Sequence, residues 1–447
     1  MRRGTPWILG TALILAGVLP AMASGFSIYE QSAKASGQAG AWVARADDAA
    51  ANWYNPAALT RFDGMQVQFG LSLITIGKDT KFTSTDPTYN APYAVISPTR
   101  FDSEQNNAFP ASFYFTQKIN GKMAWGVGVT TPFGLVTEWK DRPVVFSSRK
   151  ADLMTFVVNP NFAYAFDDRW SLAIGADYML ADIREFSRDV DQSALLSQEP
   201  GTVVGRSNLS GDGNAFGWNL AVHAKDPKWS FGFTYRAALS PKIDGNVKFS
   251  GINPLLAALF PNGPGTATLD LPAEAAAGFA WTGVPNWAFE FDLSWAQWST
   301  FDKLAVNFEK NTSVPGPAGP IPVVADIDQA ESWKNTVAAR FGAAWKIAGP
   351  HELRFGAVWD QNPIPDETLR PSIPDGDRKS VTLGYGYCGK HWNADVYYMP
   401  LFFQTRDAKG APAHKPSENP YQTVDGVIDG KYESFVHLIG ASFTWRF

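Results

Sequence analysis

Alternation of side-chain character with a period of two is the feature that most restricts what this chain can fold into. In residues 287–295 every second side chain is large and apolar, and small or acidic residues fill the positions between; residues 229–236 and 353–360 repeat the pattern. Because successive side chains of a β-strand point to opposite faces, each segment predicts a strand with one apolar face. Such segments reach the roughly nine to eleven residues that a membrane-spanning strand needs, which favours a transmembrane barrel over a soluble sandwich.

About fourteen segments of this kind can be counted, which predicts an all-β transmembrane barrel of about fourteen antiparallel strands. They span residues 65–78, 108–119, 122–138, 151–166, 169–187, 213–225, 228–240, 266–282, 286–301, 331–347, 351–361, 378–388, 391–403 and 433–447. Tight turns are predicted at residues 120–121, 167–168, 226–227, 283–285, 348–350 and 389–390, and long connections at 79–107, 139–150, 188–212, 241–265, 302–330, 362–377 and 404–432. Alternating long and short connections are typical of outer-membrane barrels, and an even strand number places both chain ends in the periplasm.

The composition fits this class of protein. The 447 residues include 17 Trp, 31 Phe and 14 Tyr, and a membrane barrel places such rings at both membrane–water boundaries. Cys388 is the single cysteine, which excludes a disulfide scaffold. The net charge of −5 gives no reason to expect nucleic acid as a partner.

The N-terminus predicts export. Arg2 and Arg3 precede an apolar run at residues 7–19, and Ala21 and Ala23 provide the small residues of a cleavage site. A single membrane-anchoring helix is the alternative, but the run is short for a span. We therefore expect a signal peptide at residues 1–23, cleaved after Ala23.

The last segment ends the chain on Phe447, with an aromatic or aliphatic side chain at most second positions from Phe435 onward. A terminal aromatic that closes an alternating strand resembles the signal read by the barrel-assembly machinery, which is therefore an expected partner. The alternative is a hydrophobic edge strand, which would be prone to aggregation if it stayed unpaired.

Residues 24–64 have a different character. They are rich in Ala and Gly and show no period of two, and residues 49–51 favour a helical turn that Asn55-Pro56 would end. A compact helical segment of this size can fill the lumen of a fourteen-stranded barrel, which would otherwise be an aqueous channel. The chain is therefore divided into a lumen plug at residues 24–64 and a barrel at residues 65–447, with a flexible periplasmic tail as the alternative to the plug.

Residues 25–60 resemble the N-terminal hatch of the FadL family of outer-membrane long-chain fatty acid and hydrophobic compound transporters. The matching motifs are Glu30-Gln31-Ser32-Ala33, Ala46-Asp47-Asp48-Ala49 and Asn55-Pro56-Ala57. Residues 130–138, 271–272, 295–299 and 372–378 resemble further family segments, so the likeness extends over the mature chain. The plug, residues 24–64, is called the hatch below.

The resemblance implies a mechanism. A hydrophobic molecule binds in the lumen above the hatch, the hatch rearranges, with Asn55, Pro56 and Ala57 as its gating motif, and the molecule leaves sideways through a kinked third strand. The kink maps to Pro132, Phe133 and Gly134; Pro removes a ladder donor and Gly tolerates a bulge. A bend caused by a simple turn is the alternative. No cofactor is expected.

Two loops are expected to form an outer capture groove facing lipid and lipopolysaccharide. Their apolar residues are Leu195, Leu196, Leu255, Leu256, Leu259 and Phe260, with a short helix over residues 253–260. Packing of one loop on the other is the alternative reading of these side chains.

The predicted pocket departs from the family at two positions. Where basic residues would meet a fatty-acid carboxylate, this chain has Glu185 and Gln329. Arg184 is the candidate contact instead, because a one-residue bulge could turn it inward, and Lys334 lies near Gln329. The departure favours a neutral hydrocarbon, including an aromatic one, as the alternative to a fatty acid.

Other functions fit less well. A barrel hydrolase needs a nucleophile paired with His, and the five histidines are scattered without a matching motif, so no enzyme is expected. A diffusion porin or a surface receptor would not account for the hatch. No metal-binding pattern stands out.

Overall fold

The computed structural model describes residues 25–77, 79–84, 100–142, 144–199, 201–316, 319–408 and 429–447. The signal peptide predicted for residues 1–23 lies outside the described residues.

The chain forms a closed antiparallel barrel, as predicted. Its fourteen strands are β1 (Met65–Ile76), β2 (Ala111–Lys118), β3 (Met123–Thr130 and Gly134–Glu138), β4 (Lys150–Ala165), β5 (Trp170–Asp191), β6 (Val204–Lys225), β7 (Trp229–Arg236 and Lys242–Ser250), β8 (Gly263–Thr268 and Glu274–Trp281), β9 (Trp287–Ala296 and Lys303–Phe308), β10 (Ile327–Ala330 and Thr336–Ala348), β11 (His351–Asp360), β12 (Arg378–Cys388), β13 (Trp392–Phe403) and β14 (Phe435–Arg446). β1 pairs with β14 from Gln66–Arg446 to Thr75–His437, which closes the sheet. Closure leaves no free edge along this ladder, so the terminal strand is not an aggregation site.

Shorter elements decorate one end of the barrel. They are Asn106–Ala108, which pairs with β1; a hairpin of Thr312–Val314 and Ile321–Val324; a four-stranded sheet of Lys81–Ser84, Arg100–Asp102, Arg406–Ala408 and Gly430–Glu433; the α-helix Val144–Ser147; and single 3-10 turns at Ala194–Leu196, Pro254–Leu259, Trp298–Thr300 and Asp366–Thr368. None of the helices in the described residues is long and apolar enough to cross a membrane.

The alternation in the sequence corresponds to the two faces of the wall. On β6 the side chains of Phe216, Trp218 and Leu220 are exposed on the outside, whereas Asn219 and Ala221 are buried on the inside. Stacked rings such as Trp287 and Trp345, with centroids 5.5 Å apart, lie beside the short turns, where an aromatic girdle is expected.

The predicted extent of the long connections is wrong on one side of the barrel. Residues 188–212, 241–265 and 302–330 contain ladder, because β5 continues to Asp191, β6 begins at Val204 and the second part of β7 runs from Lys242 to Ser250. The outer face of this extension is polar: Asp212 pairs directly with both Asp182 and Asp244. The inner face stays apolar, because the buried Ile243 and Val247 alternate with exposed polar residues such as Asp244 and Lys248. The extension therefore keeps a period of two, but with its apolar side chains turned to the lumen instead of to lipid.

The hatch lies inside the barrel and contains little helix. The α-helices Ala33–Ser36 and Ala51–Tyr54 and the 3-10 helix Pro56–Arg61 are joined by turns, and nearly every residue from 31 to 60 is buried. Small side chains let the turns pack closely; at Gly37 the backbone passes so near Gly384 that an added Cβ would lie 3.0 Å from its Cα. Composition therefore predicts a compact segment correctly but overstates its helix content.

Candidate functional site

The third strand is interrupted at residues 131–133. Below the break β3 pairs with both β2 and β4, the last pair with β2 being Phe113–Val129. Above the break, residues 134–138 pair with β4, and the neighbouring strand Asn106–Ala108 pairs with β1; no ladder joins the two among the described residues. A hydrogen bond from Glu104 N to Glu138 O, 2.8 Å, bounds the opening at the top. The region between residues 106–112 and 131–138 is called the wall gap.

The N-terminal arm, residues 25–31 of the hatch, pairs with the interrupted strand. Ile28 N donates to Pro132 O over 2.7 Å, and Gly134 N donates to Phe26 O over 3.0 Å. The Gln31 side chain donates to Thr131 O over 3.0 Å and accepts from Thr131 N over 3.2 Å. Backbone groups that the break removes from the ladder are thus satisfied by the arm, which links the position of the arm to the shape of the wall gap.

A cavity of about 440 Å³ extends along the arm to the wall gap. Its walls are mainly apolar, with Phe26, Ile28, Phe133, Leu153, Leu401 and Leu438 among the lining residues. The lining also includes Gly134, Val136 and Met154, and the inward-facing Leu135 and Leu153 alternate with them along the same strand pair. The cavity therefore reaches both faces of the wall.

An aromatic cluster holds the arm at the inner end of the cavity. The Phe26 ring lies 5.0 Å from Trp298, 5.7 Å from Trp333 and 6.1 Å from both Phe133 and Phe301, in edge-to-face arrangements. Such pairs add roughly 0.5–1.5 kcal/mol each to the burial of the rings. The cluster stabilises the arm in its present position and is also a surface on which another apolar group could pack.

Polar contacts fix the first described residue of the arm. Gly25 N donates to Asp375 Oδ2 over 3.0 Å, and the Arg378 guanidinium donates to Gly25 O and forms an ion pair with Asp375 at 3.0 Å. Burial raises the pKa of Asp375, and the neighbouring Arg378 opposes this shift. The outer part of the arm is therefore held by bonds to the break and to residues at the start of β12, whereas its inner part also bonds to the hydroxyl groups of Tyr54 and Tyr114.

The hatch body, residues 32–61, is bound to the barrel wall by buried polar groups. Asp292 Oδ2 of β9 accepts hydrogen bonds from Trp42 N at 2.8 Å and Val43 N at 3.0 Å, and Glu290 Oε1 accepts from Ala44 N at 2.6 Å. Such carboxylate acceptors give hydrogen bonds about twice as strong as neutral ones. These polar positions, which alternate with the apolar face of β9 in the sequence, are hatch anchors in the structure.

The Asn55-Pro56-Ala57 motif is a further attachment point. Asn55 caps the 3-10 helix by accepting from Ala57 N, and its amide donates to Val43 O at 2.8 Å and Val222 O at 3.1 Å. Ser171 of β5 donates to Ala57 O at 2.8 Å. The motif thus ties the hatch to itself and to two strands of the wall.

Adjacent acidic residues in the hatch body have opposite electrostatic environments. Burial raises the pKa of Asp48 to about 6, although nearby Lys34 lowers it. Burial also acts on Asp47, but Lys34, at 2.5 Å, and Arg45 lower the pKa of Asp47 by more, well below its usual range. Asp47 is therefore a charged partner of Lys34, whereas Asp48 can be protonated under mildly acidic conditions.

Replacing Asp292 by Ala is expected to loosen the hatch body without opening the barrel. Two buried N–H groups lose their acceptor, at about 1–3 kcal/mol each, so amide exchange at Trp42 and Val43 should rise by roughly tenfold or more. Hydrogen exchange with mass spectrometry measures this. Asp182→Ala, on the exposed outer face, is the matched control, and equal exchange in both variants would contradict the anchoring role.

A one-residue bulge is present at Arg184, but it does not turn this side chain into the lumen. In the ladder between β4 and β5, Asp152 pairs with Glu185 and Leu153 with Ile183, so Arg184 is the extra residue. Arg184 lies on the outer face, 3.5 Å from Asp182, and lines the outer end of the cavity. Asp152 faces outward, because it is next to the inward-facing Leu153 on the same strand. Directly opposite residues share a face, so Glu185 also faces outward, and its carboxylate lies 3.7 Å from the Lys150 ammonium group.

The second departure, Gln329, lies elsewhere. It pairs with Leu304 in the extended part of the wall and donates to Glu331 Oε1 over 2.5 Å. Lys334 is exposed. Neither residue lines the 440 Å³ cavity.

The six apolar loop residues come together. Leu256 and Phe260 are buried with Val324, and Leu195, Leu196 and Leu259 pack against them. Leu255 alone of the six is largely exposed, at 85%. Most of this surface is therefore loop-on-loop packing, with one leucine presented outward.

Several residues at the site were not singled out from the sequence. Trp298 lies in the family-like segment 295–299, but neither it nor its partners Phe301 and Trp333 was assigned a role. All three lie where β9 and β10 interrupt their ladders, and the signal that marks them is a break in the alternation. Asp375 and Arg378 occur in a stretch that resembles the family, yet their contact with Gly25 depends on the closed barrel. Within the described ranges no group of three or more His, Cys, Asp or Glu residues is placed to hold a metal ion.

Comparisons with known proteins agree with this geometry. The model of the family described as outer membrane protein transport protein (OMPP1/FadL/TodX) matches residues 14–447. The long-chain fatty acid transport proteins of Salmonella typhi and Escherichia coli K12 are each 27% identical to this chain over 96% of its length and 95% of theirs.

Solved structures share the fold. A Pseudomonas aeruginosa FadL homologue superimposes with a TM-score of 0.77 at 18% identity, covering 95% of this chain and all of that one. The Pseudomonas putida toluene transporter TodX gives a TM-score of 0.67 at 16% identity, covering 96% and 99%. Because the family model spans nearly the whole sequence, the chain belongs to the OMPP1/FadL/TodX family of outer-membrane transport proteins.

Proposed function

We propose that this protein carries hydrophobic small molecules across the outer membrane, binding them in the lumen cavity and releasing them sideways through the wall gap. The observation that carries the proposal is the cavity itself, which is lined by the N-terminal arm at one end and by Gly134, Val136 and Met154 at the other. Its volume, about 440 Å³, is in the range of sites that hold one small ligand.

A sideways route suits the chemistry of such a cargo. Moving apolar surface through water is unfavourable, and an exit through the wall delivers the molecule directly into the hydrocarbon layer. The alternative route through the hatch would require the body to leave Asp292, Glu290 and several other buried partners. Displacing the arm breaks fewer hydrogen bonds than displacing the whole hatch, which includes the arm.

The arm is therefore the part of the hatch that we expect to rearrange. A ligand that packs against Trp298 and Trp333 competes with Phe26 for the same aromatic surface. Departure of Phe26 removes the hydrogen bond that Phe26 O accepts from Gly134 N, on the edge of the wall gap. Ligand binding and the width of the gap are coupled through this bond.

Entry from outside is assigned to the loop surface around Leu255. This exposed leucine adjoins the buried pair Leu256 and Phe260, so an apolar molecule can add to an existing cluster. Lipid and lipopolysaccharide surround this end of the barrel in our proposal, and the barrel-assembly machinery remains the predicted partner that reads the C-terminal strand.

The charged residues that line the cavity narrow the class of cargo. Long-chain fatty acids are named for the curated relatives, and a monoaromatic hydrocarbon for structural neighbours including TodX and CymD. In this chain the lumen part of the cavity includes Glu30 and Asp375 against one guanidinium, Arg378. This balance favours a neutral hydrophobic molecule over a carboxylate.

Uptake in cells tests the function. A strain that lacks its own transporter should accumulate labelled toluene faster when it expresses this protein, and the gain should exceed that for labelled oleate. Heat-modifiable mobility on gels checks that the barrel is folded. Equal accumulation with and without the protein, for both compounds, would contradict the proposal.

A further inference from the structure

We propose that Glu30 and Arg378 form a polar end to the cavity that binds the hydroxyl group of a hydrophobic alcohol or phenol. This inference rests on the proposed function and adds the chemical class of the cargo. It depends on one donor and one acceptor that line the same apolar cavity and that the fold leaves available.

Arg378 supplies the donor. Its Nε and Nη2 atoms are engaged, donating to Asp375 Oδ1 at 3.2 and 3.0 Å, with Nη2 also donating to Gly25 O. The side chain is only 12% exposed, and Nη1 makes no hydrogen bond within the described part of the chain. Nη1 is not sealed inside the protein, and the open space beside the Arg378 side chain is the cavity.

Glu30 supplies the acceptor. Its carboxylate forms no ion pair or hydrogen bond with another side chain in the described ranges, and its oxygens are not sealed from open space. Burial raises the pKa of Glu30, and nearby Arg340 and Arg378 offset this only in part. A carboxyl group in this position is stabilised by any ligand that donates a hydrogen bond to it.

A hydroxyl group matches this pair, because it accepts one hydrogen bond and donates another. The two residues line the same cavity and lie near enough for each charge to shift the pKa of the other group. A hydrocarbon of the same size would exclude water from the two polar groups without replacing the hydrogen bonds that they make to water, which costs binding free energy. A carboxylate would meet Arg378 but would also face Glu30 and Asp375. The remaining charged lining residues, Asp152 and Arg184, lie at the outer end.

The contact with Gly25 adds a consequence for transport. The same guanidinium that would bind the hydroxyl group holds the first described residue of the arm. A ligand whose ring packs against the Phe26 cluster and whose hydroxyl group binds Arg378 therefore contacts two of the attachments of the arm. We expect hydroxylated ligands to release the arm more effectively than the parent hydrocarbons do.

Three ligands of matched size test the assignment: 4-propylphenol, propylbenzene and 4-propylbenzoate. The full-length protein in lipid nanodiscs is titrated with each, binding is followed by tryptophan fluorescence, since Trp298 and Trp333 line the arm's cluster, and empty nanodiscs correct for partition into lipid. We expect the phenol to bind roughly tenfold more tightly than propylbenzene, with the benzoate weakest.

Glu30→Leu, which removes both the acceptor and the negative charge, should abolish most of the preference for the phenol and improve benzoate binding, whereas Glu185→Leu, on the outer face, should change neither. Equal affinity for the phenol and propylbenzene, or tightest binding of the benzoate, would overturn the inference while leaving transport of hydrophobic molecules in place. Absence of binding by all three ligands would overturn both.

Discussion

Deletion of residues 24–59 is expected to convert the barrel into an open, water-filled channel. The ladder between β1 and β14 and the other strand pairs do not include hatch residues, so the wall can close without them. Its inner face carries Gln68, Asn159, Asn161, Glu290 and Asp292, which bind the hatch in the intact protein. Once the hatch is removed, water takes over these hydrogen bonds, and a fourteen-stranded lumen is wide enough to conduct.

Planar-bilayer recordings measure the outcome. The intact chain should give no resolvable current, because the hatch body fills the lumen, and the deletion variant should give steady ohmic steps. Heat-modifiable mobility identifies preparations in which the barrel has assembled, and recordings are compared only between these. Unchanged conductance in an assembled deletion variant would mean that the hatch is not the plug.

The strands could be predicted because one face of the wall meets lipid. Alternation is visible wherever exposed apolar residues such as Phe216 and Trp218 oppose buried polar or small ones, and every one of the fourteen strands has such a stretch. Above this lipid-facing zone the outer face becomes polar, and in residues 242–250 the apolar positions, Ile243 and Val247, face the lumen instead. An outward apolar face therefore no longer marks the strand there. The row formed by Asp182, Asp212 and Asp244 illustrates this, since like charges directly opposite one another argue against pairing on local grounds.

The break in β3 could be predicted from the family resemblance, and the residue types of Pro132 and Gly134 fit a break at that place. What could not be predicted is its partner. Pro132 O and Gly134 N bond to the arm, more than a hundred residues earlier, and only the closed barrel brings the two together. Contacts between Gly25, Asp375 and Arg378 have the same origin.

The bulge at Arg184 shows a second limit of periodicity. A period of two assigns faces only while the register is unbroken, and one extra residue reverses every assignment beyond it. Here the reversal places Glu185 outside with Asp152 and Lys150, and leaves Arg184 outside as well. The lumen cation next to the apolar cavity is Arg378, which no alternation pattern marks.

Replacing Gly134 by Trp is expected to stop uptake while leaving the barrel intact. A Cβ at this position would lie 2.9 Å from the end of the Ile28 side chain and 3.6 Å from Leu153 O, so the larger side chain projects into the passage between the arm and the wall gap. Ile28 is flexible at its tip, which allows the protein to fold. A cargo molecule has to pass the added ring, and overlap that costs about 1–3 kcal/mol slows passage by roughly five- to 150-fold.

Gly121→Trp is the matched control. It adds the same side chain at a short turn, where no atom lies within 4 Å of the new Cβ. Uptake of labelled toluene by cells expressing each variant, normalised to heat-modifiable protein, gives the comparison. Loss of uptake in the Gly134 variant alone, with ligand binding in the lumen retained, supports release through the wall. Undiminished uptake would exclude the wall gap as the exit, since no cargo that occupies the cavity could leave past residue 134 without contacting the new side chain.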